Sequence, residues 1–300
     1  MDAGSISDSL NAVLGGRWSV RPGHGSAFCA TWRAEGSGAP LFLKTLPTPR
    51  ADVLEAEADG LEALAATATV RVPAVIRCWR DGERGHTVLA LEWLELRAPD
   101  RGFGARLGRA MAALHHGDPA EGGGRYGWRR DNRLGATPQR NHWSSRVALP
   151  GWIEFFGCER LAAMRDRLAA GGAQPTLCDA VDTVINTLPA FFQDGHLPRP
   201  SLIHGDLWTG NWGMLADGSP VIYDPAVSCS DAEAELAMME LFGAPPPGFW
   251  AAYRETAALH PGYARRRRLY QLYHLLNHAL LFGGGYVGQS LELARGLARR

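Results

Sequence analysis

The chain has 300 residues, 46% of them apolar, enough to bury a large core as one big domain or as two lobes. Its 31 basic residues balance 31 acidic ones, so no basic surplus argues for a nucleic-acid partner. No apolar run reaches the length of a membrane span, and the start (Met1-Asp2-Ala3-Gly4-Ser5) lacks the basic and apolar regions of a signal peptide.

Five scattered cysteines (Cys29, Cys78, Cys158, Cys178 and Cys229) with no C-x-x-C spacing predict a reducing compartment and neither a disulfide framework nor a zinc site. A soluble cytoplasmic protein without nucleic-acid or membrane partners is expected. The dense basic run Arg265-Arg266-Arg267-Arg268 reads as a solvated helix face rather than a polyanion patch.

In chain order, strands are expected at 18–20, 27–33 and 41–44, with a glycine turn, Arg21-Pro22-Gly23-His24-Gly25-Ser26, between the first two. Leu54, Leu61 and Leu64 predict an amphipathic helix over 52–66. Strands at 72–76 and 87–94 follow, separated by Asp81-Gly82-Glu83. Beyond Leu96 the pattern turns helical, with helices expected at 103–115, 152–168, 177–192, 232–242, 249–259 and 265–282. The glycine-rich, basic and aromatic stretch 122–141 reads as a long ordered loop. These elements predict an α+β fold with two lobes: residues 1–95, an antiparallel sheet with one helix, and residues 96–300, mainly helical. A hinge is expected at 94–97, with a cleft between the lobes.

The chemistry concentrates at His204-Gly205-Asp206-Leu207-Trp208-Thr209-Gly210-Asn211. The spacing His-x-Asp, then Asn five residues on, is that of a kinase catalytic loop, H-R-D-x-x-x-x-N, with Gly205 in place of arginine. Phosphoryl transfer needs one carboxylate to orient the attacking hydroxyl, and oxygen ligands to hold magnesium on the phosphates. Asp206 fits the first role. Asn211 fits the second together with Asp224, which a hairpin with Asp217-Gly218 at its turn would return beside it. His204 reads as a structural hydrogen-bonding residue.

Lys44, the sole lysine, ends an apolar strand and is placed to reach nucleotide phosphates if a carboxylate pins it. Glu57 on the next helix is the candidate partner, and Glu55, on another face, the alternative. Gly23, Gly25 and Ser26 could cover the phosphates with backbone N–H groups, and the Glu92-Trp93-Leu94 backbone could bind adenine. Cys29 reads as a structural thiol. The pairs His115-His116 and His274 with His278 read as core or hydrogen-bonding residues, no third metal ligand being evident. The residues point to an ATP- and magnesium-dependent small-molecule kinase.

The chain resembles the fructosamine kinase, or ketosamine 3-kinase, family over nearly its whole length. The resemblance rests on Phe42-Leu43-Lys44-Thr45, Glu57-Ala58-Asp59-Gly60-Leu61-Glu62-Ala63-Leu64 and Val72-Pro73-Ala74-Val75-Ile76. It continues through Tyr126-Gly127-Trp128, Thr137-Pro138-Gln139-Arg140-Asn141 and Trp152-Ile153-Glu154-Phe155-Phe156, and closes with the Asp206 loop, Asp224-Pro225-Ala226 and Leu276-Asn277-His278. It implies a kinase-like fold of the aminoglycoside-phosphotransferase type. It also implies transfer of the ATP γ-phosphate to the 3-hydroxyl of a free or protein-bound ketosamine, a deglycation reaction. By this resemblance Asp206 is the base, Asn211 and Asp224 bind magnesium, Lys44 with Glu57 orients the phosphates, and Trp208 is a platform for the sugar. The glycine turn departs from the family's usual Gly-Gly pattern. Val227-Ser228-Cys229-Ser230-Asp231 stands where aromatics are usual, and Glu235 replaces an aspartate. The alternatives are an aminoglycoside, choline or other hydroxylated amine as acceptor, and a catalytically silent kinase-like binding protein.

Overall fold

The computed structural model describes residues 2–23, 28–119 and 121–299. The chain forms two compact units, Met1–Asp100 with Gly213–Pro225, and Arg101–Trp212 with Ala226–Arg300.

The first unit opens with α1 (Ala3–Leu14), started by the Asp2 carboxylate accepting from Ser5 N–H at 2.9 Å. Five antiparallel strands follow: β1 (Trp18–Pro22), β2 (Ala30–Gly36), β3 (Gly38–Pro47), β4 (Val75–Asp81) and β5 (His86–Glu92), in the order β1-β2-β3-β5-β4. The helix α2 (Ala51–Ala66) connects β3 to β4. Ile6 and Leu10 of α1 pack with Trp32, Leu43, Val88 and Ala90 on one sheet face. The helix α2, which buries Leu54, Leu61 and Leu64, contacts β3, β4 and β5. Covered on both faces, β5 carries the unbroken apolar run Val88-Leu89-Ala90-Leu91 rather than an alternating pattern. The strand expected at 72–76 starts only at Val75, because Pro73 has no N–H to give the ladder.

The second unit contains α3 (Phe103–His116), the short hairpin β6 (Asn132–Leu134) and β7 (Thr137–Gln139), then α4 (Ala148–Phe155), α5 (Ala163–Ala170) and α6 (Pro175–Asn186). The strand β8 (Pro200–Ile203) leads into the Asp206 loop. The hairpin β9 (Trp212–Met214) and β10 (Pro220–Ile222) follows in the chain and from Gly213 on belongs to the first unit, and β11 (Ser228–Asp231), back in the second, is antiparallel to β8. The helices α7 (Ala232–Met239), α8 (Phe249–Arg254), α9 (Tyr263–Phe282) and α10 (Gly285–Ala298) complete the chain. Trp152, Phe155, Phe156 and Tyr270 centre the core of this unit.

One expected helix, 152–168, is split by the π-helical turn Phe156–Ala162. The turn carries Arg160, whose buried guanidinium donates to the Arg140 carbonyl and, at 2.7 Å, to Asn141 Oδ1. Among the described residues, no helix is long and apolar enough to cross a membrane.

Candidate active site

In the first unit, the pairing of β3 with β2 and β5 leaves Leu43 on the α1 side and turns Lys44 to the α2 side. Lys44 Nζ lies 2.6 Å from Glu57 Oε1 and 2.7 Å from Asp224 Oδ1. The lysine side chain is 6% exposed and the Asp224 side chain 47%. Burial acts to depress the ammonium, but Asp224 and Glu57 outweigh it and raise the Lys44 pKa, so the cation persists. Burial and the nearby Asp224 push the Glu57 carboxyl upward against the pull of Lys44. Glu55 is turned elsewhere, paired with Arg80 at 2.6 Å. Asp224 has φ +60°, a left-handed backbone that a non-glycine residue adopts at a cost.

In the second unit, the Asp206 loop is shaped from both ends. Gly205 has φ +84°, and a Cβ there would meet the Ala226 carbonyl oxygen at 2.1 Å, so only glycine fits. Asn211 Nδ2 donates to the Asp206 carbonyl at 2.7 Å and lies 3.4 Å from Asp206 Oδ2. With its NH2 so engaged, the oxygen of the Asn211 amide is the end left for a cation. Asp206 N–H donates to His204 Nδ1 at 3.2 Å, which gives the buried His204 the structural role expected of it. Trp208 is 40% exposed, and its ring lies over Gly210, where a Cβ would stand 2.5 Å from the indole.

Glu235, conspicuous in the sequence only as a departure, accepts from His204 N–H at 2.5 Å and Gly205 N–H at 2.9 Å. Burial acts to raise its carboxyl pKa. His115, His204 and the His204 N–H outweigh that and hold the pKa below its ordinary value. The carboxylate is therefore an ionised anchor for the loop. The helix α7 that carries Glu235 is itself fixed by a buried charge network. Asp231 caps it through Glu233 N–H and receives His196 Nε2 at 2.9 Å and Tyr270 Oη at 2.6 Å, while Arg266 forks onto Glu233 and pairs with Asp194. The ligand atoms of His196, Asp231 and Glu233 lie within 4.8 Å of one another, the spacing of a metal site, but they are already committed: Glu233 to Arg266, and Asp231 to His196 and Tyr270.

This network corrects the reading of the arginine run. Arg266 is fully buried, Arg265 lies over the Phe191 ring, and Arg267 pairs with Glu240 at 2.7 Å. The run is not a solvated face. Gly23 N–H donates to Thr31 O at 2.8 Å and so closes the first hairpin; Gly25 and Ser26 lie outside the described residues. Glu92 N–H donates to Ala74 O, and its carboxylate binds Arg71 and Ala74 N–H, tying β5 to segment 71–74. Trp93 N–H donates to Pro40 O, while among the described residues Leu94 N–H meets no acceptor. His115 Nδ1 bonds Tyr253 Oη at 2.9 Å and His278 Nδ1 the His274 carbonyl at 2.8 Å, so both are hydrogen-bonding residues.

Solved structures share this architecture. The aminoglycoside phosphotransferase APH(4)-Ia, in a ternary complex with AMP-PNP and hygromycin B, superposes with a TM-score of 0.69 at 16% identity and covers 98% of each chain. The fold is thus the kinase-like one of small-molecule phosphotransferases, an α+β architecture with its five-stranded antiparallel sheet first. The fructosamine kinase family pattern matches residues 6–299. A Synechocystis sp. protein named a probable ketoamine kinase is 41% identical over 257 residues, 85% of this chain and 81% of that one. The chloroplastic protein-ribulosamine 3-kinase of Oryza sativa subsp. indica is 34% identical over 84% of this chain and 71% of its own length. The crystal structure of a fructosamine-3-kinase homologue from Thermobifida fusca gives a TM-score of 0.84 at 32% identity and covers 100% of both chains. The protein belongs to the fructosamine kinase family.

Proposed function

We propose that the protein transfers the γ-phosphoryl group of ATP to the 3-hydroxyl of a ketosamine, a ribulosamine or fructosamine on a free or protein-bound amine. The observation that carries this reading is the buried Lys44 between Glu57 and Asp224. A lysine so pinned is useful for holding a polyphosphate and is a costly arrangement for stability alone. The acceptor class comes from the named activities of the relatives.

In this reading residues 1–95 bind the nucleotide and residues 96–300 supply catalysis and the acceptor site. Lys44 holds the phosphates and Glu57 holds Lys44. The Glu92–Leu94 backbone takes the adenine edge, with Leu94 N–H the open donor, and the turn that Gly23 opens is the candidate cover for the phosphates. Asp206 accepts the proton of the sugar 3-hydroxyl as its oxygen bonds to phosphorus and the bridging oxygen leaves with ADP. Trp208 offers its exposed ring to the C–H face of the sugar.

The half-exposed Asp224 carboxylate and the Asn211 amide oxygen are hard oxygen donors of the kind magnesium takes, so these residues fit that ion. When bound, it neutralises charge on the β- and γ-phosphates. Five scattered cysteines without C-x-x-C spacing accord with a reducing, cytoplasmic setting.

Product analysis tests the proposal. Phosphorus NMR after incubation with ATP, magnesium and ribuloselysine should show one phosphate ester coupled to the C3 proton, followed by release of free lysine as the adduct decomposes. A phosphate on another carbon, or ester formation only with an aminoglycoside or choline, would overturn the acceptor assignment.

A further inference from the structure

Glu235 holds the Asp206 loop by its N–H groups; a second grip acts on its carbonyl side. The His204 carbonyl accepts from Ala226 N–H at 2.8 Å, and the Ala226 carbonyl packs against the Cα of Gly205. That same carbonyl accepts from Gln139 Nε2 at 3.1 Å. The buried Gln139 amide is fully engaged. Its NH2 also donates to Asn132 Oδ1 at 2.7 Å, and its Oε1 accepts from Tyr273 Oη at 2.7 Å. Asn132 in turn donates to the Val227 carbonyl at 2.8 Å. Two side chains of the β6–β7 hairpin therefore hold two successive carbonyls of the segment that follows Pro225.

Chemistry fixes the orientation of this relay. The Ala226 carbonyl can only accept, so the Gln139 NH2 must face it and Oε1 must face the phenol. Burial, helped by the Asp206 carboxylate and opposed by Arg160, pushes the Tyr273 phenol up to about 12, so it stays a donor throughout the neutral range. A cavity of about 20 Å³, lined by Gln139, Arg160, Gly205, Glu235, Tyr273 and His274, lies among these groups. Gly205 thus packs against Ala226 on one side and borders this space on another, and hydrogen bonds hold the segments around it.

We propose that Gln139, oriented by Tyr273, is a positioning residue for phosphoryl transfer. It fixes Ala226, which fixes His204 and Gly205, and thereby the backbone from which Asp206 projects. The inference deepens the kinase reading of the Asp206 loop and rests on it.

The test compares Gln139→Leu and Tyr273→Phe with the parent protein by two readouts. With ATP and whichever ketosamine the parent turns over, kcat should fall about 10- to 100-fold in Gln139→Leu and about 5-fold in Tyr273→Phe, the size of effect a small misplacement of a catalytic group produces. KM for both substrates should stay within about twofold, since a positioning residue touches neither. Hydrogen exchange should quicken at the Ala226 and Asp206 amides in both variants and stay unchanged in α6. Unaltered kcat, a rise in KM alone, or unaltered exchange at Ala226 and Asp206 would each overturn the proposal. If Gln139→Leu does not fold, Tyr273→Phe, which loses one oxygen atom, carries both readouts. A parent protein inert toward every ketosamine would strike the acceptor reading, and exchange would then decide the relay alone.

Discussion

At the scale of single residues, the Lys44 triad separates two glutamates only two positions apart. Glu57 reaches Nζ, while Glu55 sits in an exposed pair with Arg80. Glu57→Gln should lower kcat/KM for ATP about 10- to 100-fold, whereas Glu55→Gln should leave it unchanged and move stability by no more than about 0.5 kcal/mol. Equal losses in the two variants, measured by steady-state kinetics at varied ATP, would contradict the assignment. The Trp208 platform has its own residue-scale test at Gly210. Any side chain there enters the indole's space, so Gly210→Val should raise KM for the ketosamine with KM for ATP unchanged. A shift in ATP affinity alone would rule the platform out. Lys44 and Asp206 stand out in the sequence because each sits in a local motif: a lone lysine ending an apolar run, and a His-x-Asp spacing. Glu235 was visible only as a departure, since its partners, the His204 and Gly205 amides, lie some thirty positions away in the chain.

At the scale of elements, the sequence shows what apolar period shows. The helix α2 was expected at 52–66 and spans Ala51–Ala66, because leucines at helical spacing flanked by alanine and glutamate allow little else. The helix α10 was not foreseen. Three glycines, Gly285, Gly288 and Gly296, lower its intrinsic propensity, and packing on α6 and α9 supplies what the local sequence lacks. The strands β8 and β11 are four residues each, too short to carry an alternation. The Arg266 network was hidden for another reason: its members, Asp194, His196, Asp231, Glu233 and Arg266, come from three separate segments, and nothing in any one of them signals a buried charge. Arg266→Leu removes one partner of that network and leaves Glu233 and Asp194 without their cation. It should cost about 3–5 kcal/mol, read as a fall in the denaturation midpoint. A loss below about 1 kcal/mol would mean that Arg266 is solvated after all and that α7 is held by other contacts.

At the scale of the whole molecule, stability should depend on pH through His274. Burial first, then the neighbouring His278, pushes its pKa from 6.5 down to about 3. The native protein therefore keeps this imidazole neutral while the unfolded chain takes up a proton as pH falls below about 6.5. Its contribution is whole above that pH and is lost progressively toward pH 3, at up to about 1.4 kcal/mol per pH unit. His274→Gln should flatten the stability profile between pH 6 and 4 by about that slope, measured by urea unfolding across pH. A profile parallel to that of the parent would show that His274 is not the group responsible.

In the proposed reaction this fold and loop phosphorylate a ketosamine, with Asp206 as base. ATP consumption by the purified protein with magnesium tests it most directly, offering ribuloselysine, fructoselysine and an aminoglycoside in parallel with Asp206→Ala as control. Turnover is expected with a ketosamine and none with the aminoglycoside, with loss of at least about 1,000-fold in the variant and its melting temperature retained. Full turnover in Asp206→Ala, or turnover with the aminoglycoside alone, would contradict it.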